Sequence, residues 1–178
     1  ISSIEIDSFQ FNTIFGLMNH PISIIQSASI QCISNVIQAK NAIQANSEIL
    51  EILVKMDIFQ VIKFIFENGS QKAKLKAIKL ISILFQSEPD RMTQTFIEYG
   101  YVFYLMNNLQ ATPENSKSLK LVLNILIEMN RIMNNSGKGD EFVEIIKDSG
   151  ASDQLFDIVD FGNKASNLAE VLLSETDL

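Results

Sequence analysis

The sequence predicts an all-α chain built from tandem helical units, and three observations carry that expectation. Proline and glycine are scarce, at 3 and 7 in 178 residues, and they fall between apolar segments. The apolar residues mostly keep a spacing of three and four, which gathers them on one side of a helix. No long alternating run of apolar and polar residues argues for a strand. The densest segment, Val61, Ile62, Phe64, Ile65 and Phe66, is too apolar for a one-sided helix, so burial on nearly all sides is expected there.

Recurrences place the units. Asp7-Ser8-Phe9-Gln10, followed by Thr13-Ile14-Phe15, lines up with Asp57-Ile58-Phe59-Gln60, followed by Lys63-Phe64-Ile65. The pattern returns at Gly100-Tyr101-Val102-Phe103-Tyr104-Leu105 and at Gly150-Ala151-Ser152-Asp153-Gln154-Leu155-Phe156. The starting positions are separated by 50, 43 and 50 residues. Periods in the forties match armadillo and HEAT arrays, with loops of variable length accounting for the uneven spacing. The expected architecture is an armadillo/HEAT-like right-handed superhelical solenoid of about three and a half repeats. Their bounds are expected near 1–40, 41–88, 89–135 and 136–178.

Each repeat reads as three helices. A first helix ends near the Asp or Gly anchor, as over 141–147, and a short, very apolar second helix follows, as over 58–67 or 101–109. A longer third helix closes the unit, over 22–38, 71–86, 115–132 and 164–174. Pro21, Pro89 and Pro113 stand at helix starts or ends, where a missing N–H is tolerated. Asn68-Gly69 and the run 134–139 read as loops, and Ser70 is placed to cap the helix after it. The chain is expected to open inside one repeat, as an internal piece of a longer array with apolar surface on its first face.

Composition narrows the function classes. At 47% hydrophobic and 20% charged the chain can bury a substantial core. A formal charge of −7 argues against generic nucleic-acid binding, which needs positive surface to displace counterions. Cys32 is the single cysteine, so no intramolecular disulfide forms, in keeping with a reducing compartment. No apolar run reaches the roughly 18–20 residues that cross a bilayer. The opening Ile1-Ser2-Ser3-Ile4-Glu5 lacks the basic and apolar regions of a secretory signal. A soluble protein of cytoplasm and nucleus, with no membrane or nucleic-acid partner, is expected.

The residues that could carry chemistry do not converge. His20 is the only histidine and precedes Pro21 in a turn. Cys32, beside Ile33, reads as a small buried packing residue with no basic partner to activate it. Asn68-Gly69-Ser70-Gln71-Lys72 lacks the spacing and preceding strand of a phosphate loop. Carboxylates such as Glu48, Glu51, Asp140, Glu141 and Glu144 read as solvated faces or first-turn dipole partners. Metal-ligand spacing is nowhere evident, and Tyr99, Tyr101, Phe103 and Tyr104 read as core packing rather than a binding hot spot. No catalytic, cofactor-binding or metal set is expected. The chain should bind proteins.

With the third helices placed, a family resemblance follows. Gln26-Ser27-Ala28-Ser29-Ile30-Gln31-Cys32-Ile33-Ser34-Asn35-Val36 resembles the third-helix pattern of the importin-α (karyopherin-α) family, in which a Trp stands four residues before an Asn. Leu123-Asn124 with Leu126 resembles that family's penultimate repeat. The run from Asp140 to Gly150, followed by Leu155-Phe156-Asp157-Ile158, resembles its last one, with a glycine-rich loop before it. The resemblance implies a nuclear transport adaptor, with import cargo, importin-β and an export receptor as partners and no cofactor. It further implies that residues at the Trp and Asn positions line a groove. There the Asn bonds the backbone of a nuclear localisation signal and the Trp face stacks on lysine stems. Here those positions hold Gln31 and Asn35, Lys79 and Ile83, and Asn124 and Glu128, and the chain contains no Trp. Only Asn35 carries over. By the same resemblance the last repeat faces the export receptor, where Asp140, Glu141, Glu144, Asp153, Asp157 and Asp160 would suit a basic surface.

Lys72, Lys76 and Lys79 fall at i, i+4 and i+7 on one face, with Ile83 at i+11, while Leu75, Ile78, Ile81, Leu84 and Phe85 lie opposite and are expected in the core. Two readings stand for that stripe. It either solvates a helix exterior, or it forms a cationic groove wall that repels a basic signal and favours an acidic or phosphorylated ligand. Lys117 and Arg131 against Glu128 make the next helix mixed in charge. The second reading leads to a different armadillo or HEAT scaffold, with an acidic partner in cytoskeletal or signalling assembly.

Small residues early in third helices, Ala28 or Ser29 and Ala77, mark close approach of neighbouring helices. Ala77→Leu is therefore expected to overpack the array and destabilise it by roughly 1–3 kcal/mol. Thermal melting of the variant checks the register, since an unchanged midpoint would place Ala77 off the packed face.

Overall fold

Three residues in left-handed backbone conformation set the order of the helices. Asp57 has φ 58°, Gly100 φ 68° and Gly150 φ 70°. They are the recurrent anchor positions of the sequence, and each closes one helix and starts the next. The fourth anchor, Asp7, lies outside the described residues. The computed structural model describes residues 8–41, 46–107, 116–160, 162 and 165–177.

Helix α1 spans Ser8–Gly16, a single 3-10 turn covers Leu17–Asn19, and α2 runs Ser23–Asn41. Then come three trios. The first is α3 (Asn46–Lys55), α4 (Ile58–Asn68) and α5 (Gln71–Ser87). The second is α6 (Pro89–Glu98), α7 (Tyr101–Asn107) and α8 (Ser116–Asn135). The third is α9 (Gly139–Asp148), α10 (Ala151–Asp160) and α11 (Ser166–Thr176). No strand occurs among the described residues, and no helix among them is long and apolar enough to cross a membrane.

The corners share one hydrogen-bond pattern. At the second, the N–H of Tyr99 bonds Thr95 O and that of Gly100 bonds Ile97 O, both at 3.0 Å. At the third, Ser149 N–H bonds Ile145 O at 3.1 Å and Gly150 N–H bonds Lys147 O at 3.0 Å. At the first, Met56 N–H bonds Ile52 O and Asp57 N–H bonds Val54 O, again at 3.0 Å. The left-handed residue thus satisfies carbonyls that the helix end leaves open, and it turns the chain sharply enough for a new helix to start at once. Pro89 begins α6 where its missing N–H costs nothing. Ser70 caps α5 as expected, its Oγ accepting from the N–H of Ala73 at 3.3 Å.

The chain divides into two compact units, residues 1–83 and 84–178, with the division inside α5. In the first, α2 packs on α1, the 3-10 turn and α3, and α4 packs on α3 and the 3-10 turn. Its core includes Met18, Ile30, Ile33, Leu53, Ile58, Ile62 and Ile65, all fully buried. Ala77 is fully buried and Ser29 nearly so, while Ala28 is exposed, which settles which of the two small residues of α2 faces inward. Phe64 departs from expectation. It is 43% exposed, because a helix as apolar as α4 still turns one side outward.

In the second unit α8 is central, touching α6, α7, α9 and α11, and α10 packs on α7, α9 and α11. The aromatic cluster divides by side. Tyr101 is fully buried with its ring 5.2 Å from that of Phe96, which in turn lies 5.7 Å from Phe85. Tyr99 and Tyr104 are half-buried, and Phe103 is exposed. Core packing thus holds for Tyr101 and not for Phe103.

A Cβ added at Gly100 or Gly150 would meet nothing within 4 Å, so any penalty there comes from backbone conformation alone. Gly150→Ala is expected to cost about 1 kcal/mol, and Asp57→Gly to gain up to about 1 kcal/mol by relieving the one corner that carries a side chain. Denaturant unfolding of the two variants checks both signs; equal destabilisation by both would refute the corner as the controlling feature.

Candidate protein-binding face

Of the groove residues expected on the first two long helices, Gln31, Asn35 and Lys76 come together. On α2, Gln31 and Asn35 stand one turn apart, and Gln31 Nε2 donates to Asn35 Oδ1 at 2.7 Å. From α5, Lys76 Nζ donates to Gln31 Oε1 at 2.6 Å. The result is a continuous polar row, Lys76 to Gln31 to Asn35, crossing from one long helix to the other. Near the starts of the same helices, Ser23 Oγ and Ser70 Oγ are hydrogen-bonded. The two links advance in the same direction along both helices, so α2 and α5 run side by side and parallel. Ser70 serves two purposes, capping α5 and tying it to α2.

Lys72 is exposed, and Lys76 and Lys79 are half-buried. None of the three forms an ion pair with a described carboxylate. Ile83 is a correction: it is 5% exposed and offers a ligand no surface. Helix periodicity puts it in line with the lysines, but Leu80, Ile81, Ser82, Ile83, Leu84 and Phe85 are all buried, so this end of α5 is covered on every side. Leu75, expected in the core, is half-buried, as is Cys32. His20 behaves as a turn residue, its Nδ1 accepting from the N–H of Ile22 at 3.1 Å.

On α8, Asn124 is exposed and Glu128 half-buried. The Arg131 guanidinium lies 3.8 Å from Glu128 and 3.2 Å from Glu175 of α11. Exposed pairs of this kind contribute little to stability, but they neutralise the cation locally.

The acidic candidates occupy a different surface, in the second unit. Asp140 and Glu141 lie in the first turn of α9, where the helix dipole favours them, and Glu144 follows one turn on. Asp153, Asp157 and Asp160 form a stripe on α10, opposite the buried Ala151, Leu155 and Ile158. All six carboxylates are exposed, and none pairs with a described cation. Phe156, overlooked among the candidates, is 50% exposed beside this stripe and lines an open cleft with Val159, Leu173 and Glu170. Its signal was present in the spacing, since 156 falls outside the 151, 155, 158 set that the helix buries.

Charge is divided between the units. Residues 1–83 carry seven basic and six acidic side chains, whereas residues 84–178 carry seven and fifteen. Helices α2 and α5 contain no Asp or Glu at all. Among the described residues, no three His, Cys, Asp or Glu side chains gather as metal ligands would. No protein-family model matches the chain, and no curated protein matches it.

Proposed function

We propose that the chain is a non-catalytic protein-binding scaffold, and within that class the C-terminal repeats of an importin-α-like nuclear transport adaptor. The polar row joining Lys76, Gln31 and Asn35 carries this reading. It joins two parallel long helices, Gln31 and Asn35 standing where the family resemblance expects a groove and Lys76 one turn before the corresponding Lys79, and it plays no part in the apolar core. The left-handed corners that divide each trio support a repeat organisation. On this reading the protein moves between cytoplasm and nucleus. Importin-β and cargo engage the array, and Asp140, Glu141, Glu144, Asp153, Asp157 and Asp160 meet the export receptor.

The second reading, an armadillo or HEAT scaffold outside nuclear transport, is favoured by one observation: the positions where a reader of basic signals needs aromatic faces hold Gln31, Lys79 and Asn124, and Lys72 and Lys76 share the face of Lys79. Capture of purified export receptor on the immobilised chain separates the two. The adaptor reading expects retention that falls at least tenfold when Asp153, Asp157 and Asp160 are changed to Lys, because each reversal turns an attraction into a repulsion. Absence of retention by the unaltered chain would leave the generic scaffold.

A further inference from the structure

We infer that the face formed by α2 and α5 binds an extended, carboxylate-rich segment of a partner protein. The inference rests on the reading of that face as a protein-binding surface and names its ligand.

The hydrogen-bond row fixes what the face can offer. A lysine ammonium donates and never accepts, so Lys76 must meet the oxygen of the Gln31 amide. The Gln31 nitrogen is then turned to Asn35, and it takes the Asn35 oxygen. The amide orientations follow from the lysine. What remains unspent is the Asn35 Nδ2 and the remaining ammonium hydrogens. Asn35 is exposed, so its free group faces a ligand as a donor. With Lys72 and Lys79 flanking Lys76, the outward groups of this row are donors, and they fit a ligand that brings acceptors.

Charge sharpens the class. No carboxylate on either helix competes for the lysines, and half-burial of Lys76 and Lys79 weakens solvent screening of a bound counter-charge. Lys72 and Lys79 are separated by about 10 Å along the helix axis, at 1.5 Å per residue. Single charges spread over that length match several carboxylates along an extended chain. Neither helix has an Arg, so the bidentate fork that would favour a single phosphate over separate carboxylates is missing. A nucleic acid fits poorly: α2 has no aromatic residue, the one aromatic of α5, Phe85, is buried, and the chain as a whole is at −7. A lysine-rich signal meets like charge.

The test is fluorescence anisotropy of the full chain with labelled peptides of equal length that are Glu-rich, Gln-rich, Lys-rich or singly phosphorylated on serine, and with a single-stranded oligonucleotide. The Glu-rich peptide is expected to bind most tightly and to weaken as salt rises. Lys72→Gln, on an exposed residue, should weaken it by about two- to fivefold. The triple change Lys72→Gln, Lys76→Gln and Lys79→Gln should weaken it at least tenfold, whereas Lys76→Arg should retain binding. Thermal melts identify any variant that fails to fold, and Lys72→Gln then carries the test alone. Tighter binding of the Lys-rich or phosphorylated peptide, tighter binding of the oligonucleotide, indifference to the lysine changes, or no binding of the Glu-rich peptide would each overturn the proposal. Export-receptor capture without Glu-rich peptide binding would leave the adaptor reading intact and remove only the ligand class. The reverse outcome would keep the ligand class on a scaffold outside nuclear transport.

Discussion

Everything in this chain depends on how abruptly one short helix can end and the next begin. A helix of ten residues buries too little surface to stand alone, so it must be held against neighbours by its connections. The left-handed residue at 57, 100 and 150 supplies such a connection within a single position. Its hydrogen bonds close the first helix while its positive φ redirects the chain. Glycine meets that demand at the second and third corners, and Asp57 meets it at the first as one of the few residue types that tolerate the conformation. The apolar faces of α4, α7 and α10 reach the core because the corner before each one has aimed them there.

Two chemically opposed surfaces sit on this framework. In the first unit, α2 and α5 bear lysines and amides without a carboxylate; in the second, α9 and α10 bear carboxylates without a paired cation. Neither set contributes to the apolar core. Since exposed charges add little to stability, such segregation is not what holds the fold.

Much of the fold was legible in the sequence, because the signals that mattered were local. The anchors at 57, 100 and 150, the cap at Ser70, the small residue at Ala77 and the helix spans over 58–67, 71–86 and 141–147 need only near neighbours to be recognised. Burial was less legible. Phe64 lies in the most apolar run yet is exposed, Ile83 lies in line with three lysines yet is buried, and Cys32 is only half-covered. Each depends on what packs over the helix, which periodicity within that helix does not report. The site was legible in part for the same reason. Gln31 and Asn35 form a pair that helix spacing alone announces, whereas the link to Lys76 joins residues 45 apart and emerges only when α2 and α5 lie side by side.

The row from Lys76 to Asn35 also has a direction. Each amide in it is asymmetric, so the group at one end dictates the group shown at the other. Lys76→Glu would do more than remove a positive charge. The new carboxylate would accept from Gln31, Gln31 would accept from Asn35, and Asn35 would show its oxygen outward instead of its nitrogen. The row would then end in an acceptor instead of a donor, while Lys72 and Lys79 would remain donors beside it. A single codon in α5 therefore sets which end of the Asn35 amide is shown on α2.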